Sequence, residues 1–192
     1  MNMKTPRLIL SLVAGLIVSM TACKKSSTTP IPTFEKTDSL KVSFSSSNPY
    51  TFFSFKNDAV VANSDSASTK WDFGLRFTTF IVNSYASGPG NAGVILQNSS
   101  YSTITSVPSS GYAYDTTSSQ KAIKDGSWYN YNPTTHSFAP KAGQVFLFRT
   151  ADNKYVKMEL LAVDYEPFVG PVPVTLIYRF RYTYQPDGST TF

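Results

Sequence analysis

The only histidine in the 192-residue chain, His136, lies in Asn132-Pro-Thr-Thr-His-Ser-Phe-Ala-Pro140, just after two alternate tyrosines, Tyr129 and Tyr131. An imidazole can act as a general base or as a metal ligand. Base catalysis needs a hydroxyl or thiol nucleophile within hydrogen-bond reach, and no Gly-x-Ser-x-Gly elbow accompanies His136. A zinc site needs three or four His, Cys or carboxylate ligands, which a single histidine and a single cysteine, Cys23, do not supply. His136 therefore reads either as a surface residue or as one ligand to a bound group. Tyr129 and Tyr131 read either as core and surface residues or as the wall for a flat apolar ligand.

Two other groupings have the residue types for chemistry. Asp164 and Glu166 are close enough for a carboxylate pair, but neither has a sequence neighbour that would split their proton affinities, so they read as solvated acids. Ser87-Gly-Pro-Gly-Asn-Ala-Gly93 is rich in glycine like a phosphate loop. It lacks the Lys-Ser/Thr pair and the following helix, and reads as a wide turn. The chain is thus expected to be a binding protein and not an enzyme.

The elements that must position these residues begin with a leader. Lys4 and Arg7 precede an apolar run from Leu8 to Val18, followed by Met20-Thr-Ala-Cys23. A charged start, a short apolar stretch and small residues before a cleavage point make residues 1–22 a signal peptide. The run is too short for a bilayer span, which takes ~20 residues. Cys23 occupies the lipidated position of a lipoprotein signal. Acyl chains there would anchor the protein to a membrane without crossing it, each buried methylene contributing ~0.8 kcal/mol. The Pro-broken polar stretch 23–33 is a flexible spacer. Expected localisation is the cell envelope, at the outer membrane. The basic Lys24-Lys25 pair leaves the leaflet open.

Residues 34–192 form one domain of a size that can build a core. Of the 17 basic residues two leave with the leader, against 12 acidic ones, an excess too small and too scattered for nucleic-acid binding. With no second cysteine the fold must be held by packing.

The dominant pattern is period two, the side-chain period of a strand. Val174, Leu176, Tyr178, Phe180, Tyr182 and Tyr184 make one apolar face, and Val156, Met158, Leu160 and Ala162 another. Trp71, Phe73, Leu75 and Phe77 alternate likewise. Shorter runs occur at 50–55, 93–96, 128–131 and 144–149, separated by turn clusters at 63–68, 87–91, 108–111, 152–153 and 170–173. The Ser/Thr-rich stretches 43–48, 64–69 and 99–120 read as loops or exposed edges. These signals predict an all-β fold: an antiparallel sandwich or barrel-like sheet with little helix.

Five blocks in order resemble the HmuY family, haem-binding lipoproteins of Gram-negative bacteria. They are Lys70–Phe77, Ser87–Val94, Val107–Tyr112, Gly126–Tyr131, and Val145–Asp152 with Tyr155-Val-Lys157. The resemblance implies an all-β hemophore-like domain that takes up haem for iron acquisition and passes it to a TonB-dependent outer-membrane receptor. It also implies two axial histidines. One maps beside Asn132-Pro133, with His136 three residues further on as the haem-iron ligand here; the other falls in Asp115–Asp125, which has no histidine. Tyr112, Tyr114, Tyr129 or Tyr131 could supply an oxygen ligand instead. Met158, the one methionine left after the leader, reads as core. The alternative is the same scaffold binding a non-haem ligand or serving as a receptor-interaction module.

Overall fold

The computed structural model describes residues 32–169 and 172–192. The expected signal peptide, Cys23 and most of the expected 23–33 spacer lie outside the described residues.

Eleven strands follow in order: β1 (Phe34–Ser43), β2 (Thr51–Ser54), β3 (Ala59–Val61), β4 (Phe73–Arg76), β5 (Thr79–Val82), β6 (Gly93–Asn98), β7 (Tyr129–Asn132), β8 (Ser137–Pro140), β9 (Gln144–Arg149), β10 (Tyr155–Val169) and β11 (Val172–Gln185). The only helical elements among the described residues are 3₁₀ turns at Asn63–Asp65 and Tyr101–Thr103. A five-stranded sheet, β1-β11-β10-β9-β6, faces a four-stranded sheet, β3-β2-β4-β5, and β7-β8 is a separate hairpin. Every pairing is antiparallel. The all-β antiparallel sandwich expected from the sequence is the observed architecture.

The alternation in β11 explains the sandwich. Leu176, Tyr178, Phe180, Tyr182 and Tyr184 are all buried. Their rings meet those of the opposite sheet: Phe180 lies 5.3 Å from Phe53, Tyr182 5.1 Å from Phe55, and Tyr178 6.3 Å from Phe80. Each such side chain contributes ~1.5–3 kcal/mol on burial, so a core without disulfides is held by aromatic packing. A second apolar cluster lies on the other side of the five-stranded sheet, where Tyr101, Ile104 and Val107 cover Val145 and Leu147. Part of the 99–120 stretch is therefore core and not loop, because polar Ser and Thr residues mask the apolar positions between them.

Three further expectations need correction. Val174 is 47% exposed although its parity points it inward, and it lines an open cleft with Phe44 and Phe77. Phe77 leaves the strand pattern in the β4–β5 turn with a left-handed φ of 49°. In β10 the register shifts between Leu160 and Ala162, a β-bulge that reverses parity. Val156, Met158 and Leu160 face the core before it, Val163 and Tyr165 pack on the core after it, and Ala162 is not on the buried face.

Candidate functional site

The hairpin β7–β8 carries the sequence-predicted site. Its register pairs Tyr129 with Pro140, Tyr131 with Phe138 and Asn132 with Ser137. What reads in sequence as a nine-residue loop is thus a four-residue connection, 133–136, followed by a strand. Asn132 shapes the turn, its Oδ1 accepting the backbone N–H of Thr134 at 2.9 Å and of Thr135 at 3.3 Å. His136 closes it in the left-handed region at φ 52°.

Closure brings His136 back onto Tyr131, with the tyrosine hydroxyl 2.9 Å from Nδ1. Both side chains are exposed, Tyr131 to 55%. In the tautomer with a proton on Nδ1, the imidazole donates to the tyrosine oxygen and Nε2 keeps its lone pair free. That is the arrangement a metal-ligating histidine needs: one ring nitrogen held by a neighbour, the other open.

Tyr129 shares the strand face of Tyr131 but is half-buried. Its ring packs on Trp128 at 4.7 Å and Phe138 at 5.4 Å, and its hydroxyl donates to Asp125 Oδ1 at 3.1 Å. Burial first, then the Asp125 carboxylate, pushes its hydroxyl above the ordinary tyrosine range. Trp128, fully buried, donates its indole N–H to the Thr78 carbonyl at 3.0 Å. The root of the hairpin is therefore fixed to the sandwich while its tip stands free.

Two clefts flank this root. One, of about 590 Å³, is lined by Phe44, Phe77, Pro173 and Val174. Phe77 touches both Phe44 and Phe138, at ring distances of 5.0 and 5.8 Å, so the apolar wall continues onto the hairpin. The other, of about 600 Å³, lies along Tyr114 and the 116–125 segment, with Lys121, Lys124 and Asp125 at its rim. That segment is organised by Asp115, whose fully buried carboxylate accepts the N–H groups of Val82 at 3.0 Å and Ala122 at 2.8 Å and the Ser87 hydroxyl at 2.6 Å. Lys121 stands 3.8 Å from it. His136 lines neither cleft.

The other candidate ligands are committed elsewhere. Tyr112 donates to the Pro108 carbonyl at 2.7 Å, and the Tyr114 hydroxyl accepts from Arg149 at 2.7 Å. Met158 is fully buried in the core. Asp164 and Glu166 point to the outer face of β10 past the bulge, where Asp164 pairs with Arg179. The 87–93 segment is the wide turn expected, leading into β6 at Gly93.

No family profile matches the sequence, and no curated protein matches it. Solved structures do. The apo HmuY analog of Tannerella forsythia is similar to this chain with a TM-score of 0.56 and 13% identity, over 82% of this chain and 99% of that one. The chain has an HmuY-like fold. A protein of Bacteroides vulgatus assigned as HmuY-like and haem-binding gives a TM-score of 0.48 at 13% identity, over 78% of this chain and 92% of its own. One of Bacteroides fragilis assigned as a lipoprotein gives 0.49 at 14%, over 79% and 89%.

His136 with Tyr131 offers a single prepared nitrogen, while the 115–125 segment holds no histidine and its one fully buried side-chain acid, Asp115, is saturated with donors. Sequence reading missed two residues that build the site. Asp115 and Tyr165 carry no motif, and only their long-range partners in the fold reveal them.

Proposed function

We propose that this chain is a lipid-anchored protein of the cell envelope that binds haem on the β7–β8 hairpin and hands it to a TonB-dependent outer-membrane receptor. In this reading residues 1–22 are removed, Cys23 is acylated, and the 23–33 spacer holds the domain off the outer membrane. His136 would hold the haem iron through Nε2, with Tyr131 and Tyr129 as the aromatic residues that would lie against the porphyrin. Haem iron brings an open coordination position that accepts an imidazole nitrogen. The protein binds and delivers rather than catalyses.

The observation that carries the reading is the Tyr131–His136 contact, which fixes the imidazole and leaves one nitrogen uncommitted on an exposed tip. The HmuY-like fold supports it. Titration of the purified protein with haemin is expected to give a sharpened, red-shifted Soret band that weakens in His136→Ala. No saturable change at micromolar haemin sinks it.

A second reading keeps the scaffold but gives it a non-haem ligand or a receptor-docking role. It is favoured by the position of His136 outside both clefts and by the single prepared ligand. A flat haemin titration together with retained receptor binding separates the two.

A further inference from the structure

The loop from Tyr85 to Gly90 presents the most exposed large apolar side chain among the described residues, Tyr85, at 71%. It does so on a strained backbone, φ 44°, which a bulky residue adopts only where the surroundings impose it. The surroundings are rigid. A bridge between Ser84 and Asn91 closes the loop, and the Ala86 N–H donates to the buried Asp115 carbonyl at 3.1 Å. Fully buried Asn83 accepts the Gly90 N–H at 2.9 Å and donates to the Ser68 and Trp71 carbonyls. The Tyr85 ring is backed edge-on by Tyr114 at 5.6 Å, and Tyr114 is in turn held by Arg149.

An open groove of about 520 Å³ runs from this ring along Thr69, Pro89 and Asn91. None of its lining residues is an acid or a base. The Arg149 guanidinium beside it is taken up by Asn91 and Tyr114. A charged ligand would find no countercharge there. An aromatic face fixed in water beside hydroxyl, carboxamide and backbone groups suits a ligand with one apolar C–H face and a rim of hydroxyls.

We infer that the Tyr85 groove binds a neutral saccharide, a pyranose ring stacking on Tyr85 with its hydroxyls bonded to Thr69 and the loop backbone. Pre-setting the ring on a strained, pinned loop lowers the ordering cost of binding. This site is separate from the hairpin and stands whether or not haem binds there.

The test is titration of the full-length protein, followed by amide NMR shifts, with neutral gluco-, manno- and galacto-oligosaccharides. A parallel arm measures retention on the corresponding polysaccharides, which tells a free oligomer from a surface polymer as the source. Saturable binding of at least one sugar is expected. Tyr85→Asn keeps a residue that tolerates the left-handed backbone, and it should weaken binding about tenfold or more through loss of stacking. Tyr85→Phe should retain it, and Tyr131→Phe should leave it unchanged. No binding across the panel, equal binding by Tyr85→Asn, or a Tyr85-dependent contact seen only with a protein partner each overturns the assignment.

Discussion

The Tyr165 hydroxyl serves both backbone groups of Phe138, accepting its N–H at 2.7 Å and donating to its carbonyl at 3.0 Å. Phe138 thus directs its peptide groups away from β7, toward β10, and one side chain does the work of a missing strand. The need arises because β9 pairs with β10 only from Tyr155 to Glu159. Beyond the bulge at Leu161 the hairpin takes its place, and Tyr165 ties it on.

Tyr165→Phe keeps the ring contact with Phe138, 5.7 Å between centroids, and removes only the hydroxyl. It leaves an N–H and a carbonyl of a buried residue unpaired, at a cost of about 1–3 kcal/mol. The expected result is a modest drop in urea midpoint with a much larger rise in amide exchange at Phe138 and across β7–β8. Uniform acceleration over the whole domain would show that the bond is not local to the hairpin.

Much of the sandwich was legible because β9, β10 and β11 are core strands with alternating apolar faces, where pattern and burial coincide. β1 was not. Its ten residues pair fully with β11, yet only Leu40 and Val42 are buried, so an edge strand reads as polar chain. β8 was hidden by its shortness and by ending at Pro140. The bulge at Leu161 leaves no mark in composition, so strict alternation puts Ala162, the one inward residue read beyond it, on the wrong face. At the site, His136 and Tyr131 were legible as types, while their contact depends on a left-handed turn that the sequence permits without requiring.

Gly88 sits where the 84–91 loop crosses the Asn83 side chain. A Cβ there would lie 2.2 Å from Asn83 Oδ1 and 2.7 Å from the Trp71 ring, both on fully buried side chains. Neither can retreat, since Asn83 is bonded to two carbonyls and Trp71 donates to the Ser66 carbonyl at 2.9 Å. Gly88→Ala is expected to destabilise the domain by about 1–3 kcal/mol, the usual cost of overpacking, read as a fall in the thermal midpoint. Gly111→Ala meets no neighbour within 4 Å and should cost less, through its positive φ alone.

Asp72 joins two loops from inside, accepting the Phe55 N–H at 2.8 Å and the Ala151 N–H at 2.9 Å. Burial pushes its carboxyl from 3.8 up to about 7, against the pull of those two amides; Asp152 adds to the rise and Lys56 opposes it. A carboxyl raised on folding binds its proton more tightly in the native state. Its contribution is therefore complete below about pH 4 and is lost as pH rises through about 7, by at most ~1.4 kcal/mol per pH unit. Urea midpoints measured from pH 5 to pH 8 should fall toward the alkaline end for the wild type. Asp72→Asn removes the titration but leaves one amide without its acceptor, so it should be weaker at pH 5 and approach the wild type by pH 8. Parallel curves for the two proteins would exclude Asp72 as the titrating group.

Tyr131→Phe separates holding the imidazole from supplying it. The ring stays on the hairpin, but Nδ1 loses its partner at 2.9 Å, and His136 becomes free to turn and to change tautomer. Loss of such a supporting bond typically weakens metal binding about 10–100-fold. His136→Asn removes the ligand while suiting the φ of 52°, so the hairpin keeps its shape. On haemin titration, Tyr131→Phe should give the wild-type Soret position at higher haemin concentration, and His136→Asn should lose the red shift altogether. If Tyr131→Phe binds as tightly as the wild type while His136→Asn does not, the imidazole is held by the haem pocket itself and not by Tyr131. If both bind normally, the iron is ligated elsewhere and the hairpin is not the haem site.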